Sequence, residues 1–452
     1  RHHFGASSAT AEPTARHREK FLRDFLQFRQ SGIAEGRSVS VRAYVLVNEG
    51  NTGAARKLAG LLTEHGVEVS RAVEDFEGCG RSMPAGSCVI DMAQPTKRLV
   101  RTVLDQDVPM SETFLAEQER RRKKDLPDQI YDVTGWSLPR MFGVDSVACG
   151  AVPSGDFEPA GKERVAAASI ASERAQLAYL VPWNTTAAAR LLASALRQDL
   201  HVLGSDREFI QEGRTYPRGT LVFMVDRNPD TLHTTLEGLA RKTGAEVIGT
   251  DSSWVDEGVN FGSNNVRHLK APKVALAWDL PTRSYSAGAT RFVLERQIGY
   301  PVTPIRARRL SSIELGDFDV LILPDGRYQG YLDEGVSAAL QDWVRRGGTL
   351  IGSAGAVDYL AGSGLLATAR ENRPGSEMEK SGEDGSEPSG LLLASEEDYR
   401  QAIQPKQESP DSIPGFLARA TIDTDHWITS GTSETVNALV QGNAIYRPLT
   451  LD

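Results

Sequence analysis

Short apolar runs alternate with amphipathic stretches along most of this chain. The first clear segment is Glu19 to Ala34, where Phe21, Leu22, Phe25, Leu26 and Ile33 recur at helical spacing among Arg, Asp and Gln. This period predicts an amphipathic helix, stopped at Glu35-Gly36. The text before it reads as a polar tail containing His2 and His3, with His17 at the helix start.

A pattern then occurs twice. The first copy is the apolar run V-R-A-Y-V-L-V, a helix through A-A-R-K-L-A-G-L-L, the strand V-E-V-S-R-A, then M-P-A-G-S-C-V-I-D-M and a helix through P-T-K-R-L-V-R-T-V-L. The second is Q-L-A-Y-L-V, A-A-A-R-L-L-A-S-A-L, L-H-V-L, Y-P-R-G-T-L-V-F-M-V and N-P-D-T-L-H-T-T-L-E-G-L-A. Ala178 follows Ala43 by 135 residues and Gly219 follows Gly86 by 133. Two anchors at nearly one offset predict an internal duplication of strand-helix-strand-strand-helix units. One such unit buries only part of its apolar surface, so the two are expected to pack or join.

From Ala271-Pro272 the alternation changes. K-V-A-L-A-W-D, P-V-T-P-I-R-A, D-F-D-V-L-I-L-P-D-G and T-L-I-G-S read as strands. The intervening helices are S-A-G-A-T-R-F-V-L-E-R-Q-I-G and E-G-V-S-A-A-L-Q-D-W-V-R-R-G-G, the latter with Val336, Leu340, Trp343 and Val344 on one face. Strand-helix alternation predicts a doubly wound parallel sheet. The expected division is 1–40, linker and helix; 41–173 and 174–270, the two α/β repeat units; 271–366, the parallel-sheet domain; 367–415, a polar, partly disordered excursion; and 416–452, C-terminal strands that stop without a closing element. The stretch Asp128 to Pro139 is apolar enough to dock onto a core.

The 452 residues carry a net charge of −9, with 40% hydrophobic and 25% charged side chains. These values suit a globular chain with a real core and oppose bulk binding of nucleic acid or anionic membrane. The basic run Arg120 to Lys124 is flanked by acids and reads as a solvated helix face. No run reaches the ~20 apolar residues of a membrane helix. The chain opens on Arg rather than Met and has no signal-peptide core at that end, which points to a piece of a longer protein. Its three cysteines, Cys79, Cys88 and Cys149, give neither a CxxC nor a disulfide framework at this level.

Candidate chemistry is sparse. His65-Gly66-Val67-Glu68 has the H-x-x-E spacing of a zinc pair, but Gly66 reads as a helix stop and Glu68 as a strand start, and the second copy has D-L-H-V-L there. Ser353 lies in Gly352-Ser353-Ala354-Gly355-Ala356. A nucleophile elbow places its nucleophile at the centre of G-x-S-x-G, and that centre is Ala354 here. No Cys follows Cys149, and the only His after residue 271 is His426. The strand ends of the parallel sheet also carry Asp279, Arg283, Ser284, Tyr285, Ser286, Asp325 and Gly326, where a crevice for a peptide or small ligand is expected. Ser284 or Ser286 can equally cap a helix, and Asp325-Gly326 can be a plain turn. Trp254 to Asn264, dense in Gly, Asn, acid and aromatic residues, reads as a rigid interdomain loop or as the lining of a site.

Several segments resemble a known family. They are P-A-G-S-C-V-I-D-M-A-Q-P-T-K-R-L-V-R-T-V-L-D-Q-D-V-P-M, L-P-D-Q-I-Y-D-V-T-G-W-S-L-P, W-V-D-E-G-V-N-F-G-S-N-N-V, A-W-D-L-P-T-R-S-Y-S-A-G-A-T-R-F-V-L-E and A-S-E-E-D-Y-R-Q-A-I. Together they resemble the region after the catalytic domain in large bacterial zinc carboxypeptidase-like proteins of the carboxypeptidase A class. The third unit is similar to a class I glutamine amidotransferase-like, flavodoxin-type domain. The resemblance implies a metallopeptidase parent whose zinc ligands, carboxylate-binding Arg and general-base Glu all precede this text. It implies a non-catalytic accessory region with no cofactor of its own, the N-terminal catalytic domain as partner with zinc as that domain's cofactor, and an extracytoplasmic location. The alternatives are a small-ligand binding module and a free-standing hydrolase using the crevice near Ser353.

Overall fold

The structure, a computed structural model, describes residues 2–49, 52–106, 110–124, 126, 129, 137–161, 174–368, 395, 413–442 and 446–447. Most of Asp128 to Pro139 and of the polar excursion at 367–415 lies outside them. No helix among the described residues is long and apolar enough to cross a membrane.

Residues expected to form a polar tail are instead helical: α1 (His2–Arg16) precedes α2 (Arg18–Gly36). Side-chain pairs one turn apart support α1, with Thr10 and Thr14 hydroxyls bonding carbonyls four residues back and Arg16 pairing with Glu12. Of the predicted stripe on α2, Phe21, Leu22, Phe25 and Leu26 are 48 to 69% exposed, as is Phe28 at 48%, while Ile33 is half-buried. Only the last turns of α2 touch the body. Gly32 and Gly36 are buried there, and Glu35 pairs with Lys97 at 2.9 Å and Arg98 at 2.5 Å.

The first unit runs β1 (Ala43–Leu46), α3 (Thr52–Glu64), β2 (Ser70–Ala72), β3 (Phe76–Gly78), β4 (Arg81–Met83), β5 (Cys88–Asp91), α4 (Lys97–Leu104), α5 (Glu112–Arg122), α6 (Leu138–Phe142), β6 (Ser146–Cys149) and β7 (Phe157–Pro159). Its sheet order is β6-β1-β5-β2-β7, antiparallel throughout. The second unit runs β8 (Ala178–Val181), α7 (Thr186–Leu196), β9 (Val202–Ser205), β10 (Phe209–Gln211), β11 (Arg214–Tyr216), β12 (Leu221–Met224), α8 (Leu232–Thr243), β13 (Ile248–Thr250), β14 (Glu257–Gly258) and β15 (Val266–Leu269). Its sheet order is β13-β8-β12-β9-β15, also antiparallel. The two sheet orders correspond strand for strand, while the connections differ: α5 and α6 precede β6 in the first unit, and β14, paired with β10, precedes β15 in the second.

Why both central strands are wholly apolar follows from the layering. In the first unit, Tyr44, Leu46 and Ile90 face Leu58, Leu62, Val100 and Leu104 of the helices, while Ala43, Val45 and Val89 face Phe76 and Met83 of the β3–β4 hairpin. In the second, Tyr179, Val181 and Phe223 face Leu191 and Leu236, while Leu180 and Val222 face Phe209 and Tyr216. A sheet covered on both sides requires continuous apolar strands rather than alternation.

The third unit is the expected parallel sheet: β16 (Val274–Trp278), α9 (Ser284–Arg291), β17 (Thr303–Arg306), β18 (Val320–Leu323), α10 (Glu334–Arg345), β19 (Thr349–Gly352) and α11 (Gly355–Gly362), in the order β17-β16-β18-β19. The chain as a whole is therefore α/β. Asp333 caps α10 by accepting from the Val336 amide at 2.9 Å. Val336, Leu340 and Trp343 are buried, but Val344 sits at the edge of that stripe, 38% exposed. The expected helix after Ser284 changes to π-type winding over Phe292–Ile298 before Gly299 ends it. The C-terminal strands pair as a hairpin of β20 (Ile413–Thr421) and β21 (Thr435–Gly442).

A second expectation is overturned. Cys79 and Cys149 form a disulfide across 70 residues of sequence, with Cα atoms 5.2 Å apart. The spacing hid it because the contact is made by the sheet: β6 lies beside β1, and the β3–β4 hairpin folds over the same face. Cys88 is the remaining thiol, and burial pushes it up to about 11.

Candidate functional site

The loops at the carboxyl ends of the parallel strands converge. The chain leaves β16 at Asp279, which has φ of 68°, and Thr282 returns its amide to the Asp279 carbonyl at 2.9 Å. The following loop then pairs with the loop after β18. The Arg283 amide donates to the Asp325 carbonyl at 2.7 Å, and Thr282 forms a β-bridge to Gly326. Gly326 is needed for that approach, since a Cβ there would lie 2.7 Å from the Pro281 carbonyl oxygen.

Asp325 is the centre of the cluster. One carboxylate oxygen accepts from the Gly355 amide at 3.0 Å, and the other lies 3.3 Å from the Arg283 guanidinium. Its own amide donates to the Ser286 hydroxyl at 3.0 Å. Ser286 therefore ties a loop rather than capping the helix start. Because Gly355 opens α11, Asp325 puts a carboxylate on the first free amide of that helix, where an anion is favoured. Behind it, Tyr328 is fully buried, donates to the Pro324 carbonyl at 3.0 Å, and has its phenol pushed up by that burial.

Ser353 is exposed and continues the sheet pattern, its amide donating to Leu323. The sharp turn falls on Ala354, with φ 48° and ψ −119°. A non-glycine residue in this region is strained, and such a strand-turn-helix residue is where an elbow presents its nucleophile. Here the position carries a methyl group. No histidine occurs between residues 271 and 366 to act as base.

Of the residues marked by sequence, Arg283, Ser286 and Asp325 are joined by contacts, and Ser353 stands one residue before the turn they brace. Asp279 lies at the rim, 3.9 Å from the Arg306 guanidinium. Tyr285 points away, 92% exposed. What sequence alone did not mark is Gly355, whose amide receives Asp325, and Arg306. The glycine has a signal, since a Cβ at Gly355 would lie 2.6 Å from the Gly326 carbonyl oxygen.

His65 stands in the turn after α3 and Glu68 just ahead of β2. The His65 amide ends α3, and the Glu68 amide donates to the Gln94 side chain at 2.8 Å. Among the described residues no group of three or more His, Cys, Asp or Glu is arranged to hold a metal. Trp254 to Asn264 behaves as a packed loop: Phe261 is buried edge-on against Phe209, and the Asp256 amide donates to Ile210, while Trp254 is 75% exposed. Compared with protein-family models, curated proteins and solved structures, the chain matches none of them.

Proposed function

We propose that this chain is a non-catalytic accessory region of a zinc metallocarboxypeptidase-like protein, acting beside a separate zinc-binding catalytic domain. The observation that carries this reading is Ala354. The turn has the backbone of a nucleophile elbow but no nucleophile, and the helix amide beside it is already taken by Asp325. An enzyme built on this crevice would need a reactive group there and an open anion site, and it has neither. The exposed apolar face of α2 supports a docking role, since five large apolar side chains on one helix form the sort of patch that partners cover. The Cys79–Cys149 disulfide fits an oxidising, extracytoplasmic setting.

The test is made on the purified chain with chromogenic esters, amides and C-terminal dipeptide substrates, with and without zinc. Turnover should not rise above buffer, and Ser353→Ala should change nothing. Hydrolysis that disappears in Ser353→Ala would replace this reading with a hydrolase centred on the crevice. Under the accessory reading, the coding sequence upstream of Arg1 carries an H-x-x-E domain that co-purifies with this chain, and Phe25→Asp on α2 releases it.

A further inference from the structure

The C-terminal hairpin and the residues just after it touch all three units. A two-stranded hairpin has little stability of its own, so what it leans on matters. β21 packs against α6 of the first unit. Past the hairpin, the Tyr446 hydroxyl donates to the Asp358 carboxylate of α11 at 2.7 Å, and the Arg447 carbonyl accepts from the Thr368 hydroxyl at 2.6 Å. The loop between β20 and β21 rests on the second unit. That loop is braced from within: the Ile422 amide donates to the Glu434 carbonyl at 2.8 Å, and the Thr429 hydroxyl donates to the Asp423 carbonyl at 2.8 Å. It therefore meets the second unit already shaped, which lowers the cost of docking.

Two side chains receive the loop. The Trp183 indole nitrogen donates to the Ser430 carbonyl at 3.1 Å. The Arg218 guanidinium donates to the Thr424 and Asp425 carbonyls at 3.2 and 2.7 Å. The indole lies between Gly219 of its own unit and Gly431 of the loop, where an added Cβ would stand 2.5 and 2.7 Å from the ring. Close approach of the loop thus needs a residue without a side chain on each side of the indole.

The matched residues of the first unit are used differently. Trp183 follows Asn48 by 135 residues and Arg218 follows Ala85 by 133, the offsets of the repeat. Asn48 turns inward: its side-chain amide donates to the Ala85 carbonyl at 2.9 Å, and its backbone amide to the Ser87 hydroxyl at 3.0 Å. One place in the fold closes on its own turn in the first copy and reaches out to another element in the second. The residues that reach out are a Trp and an Arg, the types that most often anchor interfaces.

We propose that the C-terminal hairpin is a clasp. Trp183 and Arg218 form the receptor for its loop on the second unit, and the seated hairpin holds the first unit, through α6, against the rest of the chain. The contacts on the loop are few and lie at the surface, so the clasp belongs to the easily opened part of the structure. It would stand whether or not the chain serves a catalytic domain.

Trp183→Asn with Arg218→Ala in the intact chain tests it, because this double variant writes the first unit's own pair into the second and keeps a way for the turn to close. Hydrogen exchange in β20 and β21 should speed up by about tenfold or more while β8 and β12 hold. Small-angle scattering should show a larger radius of gyration as the first unit comes away. Arg218→Gln alone should give a rise of about fivefold in the same two strands. Arg214→Gln, whose parent side chain pairs with Glu246 inside the second unit, should leave β20 and β21 as they are. Unchanged exchange in β20 and β21 of the folded double variant, or equal loosening of β8 and β12, would overturn the receptor. A freed hairpin with an unchanged radius would overturn the clasp.

Discussion

The first and second units are built on one plan but fastened differently. Both hairpins turn through two residues with positive φ, Cys79 and Gly80 at 56° and 81°, Glu212 and Gly213 at 52° and 71°. Both are therefore type I′ turns, whose twist suits a two-residue hairpin. Both tips reach the end of the strand beside the first central strand. Cys149 is the register partner of Ala43, and Thr250 is that of Ala178. In the first unit tip and strand are joined by the Cys79–Cys149 disulfide. In the second, Thr250 donates to Glu212 at 3.4 Å, Gln211 donates to Thr250 and to the Ser252 carbonyl at 3.0 and 2.8 Å, and the Gly213 amide donates to Asp256 at 3.1 Å.

Magnitudes say what this difference is for. The closed segment is longer in the first unit, 70 residues against 38. By loop-closure entropy the extra length costs only about 0.5 kcal/mol, too little to require a covalent bond. The disulfide itself contributes about 4 kcal/mol on the chain-entropy estimate for such a loop. Four hydrogen bonds at about 1 kcal/mol each come to the same size. The two fastenings are thus equivalent in strength and unlike in dependence: one needs an oxidising setting, the other does not.

The largest effect should come from breaking the covalent fastening. Cys79→Ser is expected to lower stability by about 4 kcal/mol, with faster hydrogen exchange concentrated in β3, β4 and β6. Recovery of Cys79 and Cys149 as free thiols in non-reduced peptide mass spectra of the parent chain would end the comparison at once. Next in size is the reverse exchange. Glu212→Cys with Thr250→Cys should form a disulfide on mild oxidation and raise stability by about 2–4 kcal/mol, because the paired positions match those of the first unit. Failure to cross-link would mean that the tips are not equivalent. Thr250→Val should cost about 1–2 kcal/mol, since Gln211, itself buried, would lose one of its two acceptors. A change below the error of denaturant titration would remove Thr250 from the fastening.

How much of this was legible in sequence depends on the range of the cause. The central strands A-Y-V-L and A-Y-L-V, the parallel sheet and the turn at Ala354 follow from local pattern, and each stands where the text put it. The Cys79–Cys149 bond did not follow, because it depends on which strand lies beside β1. The repeat offset held a clue, since 133 residues carries Cys79 onto Glu212 at the tip of the second hairpin. The stripe on α2 was legible as periodicity, but periodicity names a face and not what covers it. Asp325 was marked as a strand-end residue, yet its contact with Gly355 spans 30 residues and two loops.

The smallest effect concerns pH and separates the units at another matched pair. Gln94 clamps Glu68, donating to its carbonyl at 3.1 Å and accepting from its amide at 2.8 Å. Asn228 clamps His201 in the same way, at 3.0 and 2.9 Å. The second unit thus carries an imidazole where the first carries a carboxylate, and His201 stacks on His268 of the edge strand β15 with ring centres 4.4 Å apart. Burial holds His201 below its ordinary value of 6.5, with the neighbouring His268 and Arg227 adding to the shift and Asp226 opposing it. A depressed histidine takes up its proton later in the folded state than in the unfolded one. The second unit should therefore keep its full stability above pH 6.5, lose it as pH falls from there through the depressed folded value, and lose no more below that. The first unit has no such group at the matched position. Denaturant midpoints at pH 7.5 and 5.5, with hydrogen exchange to resolve the units, should show β9 and β15 loosening at the lower pH while β2 and β7 hold. His201→Gln should flatten the difference; if the parent and His201→Gln lose the same stability between the two pH values, the stacked pair is not its source.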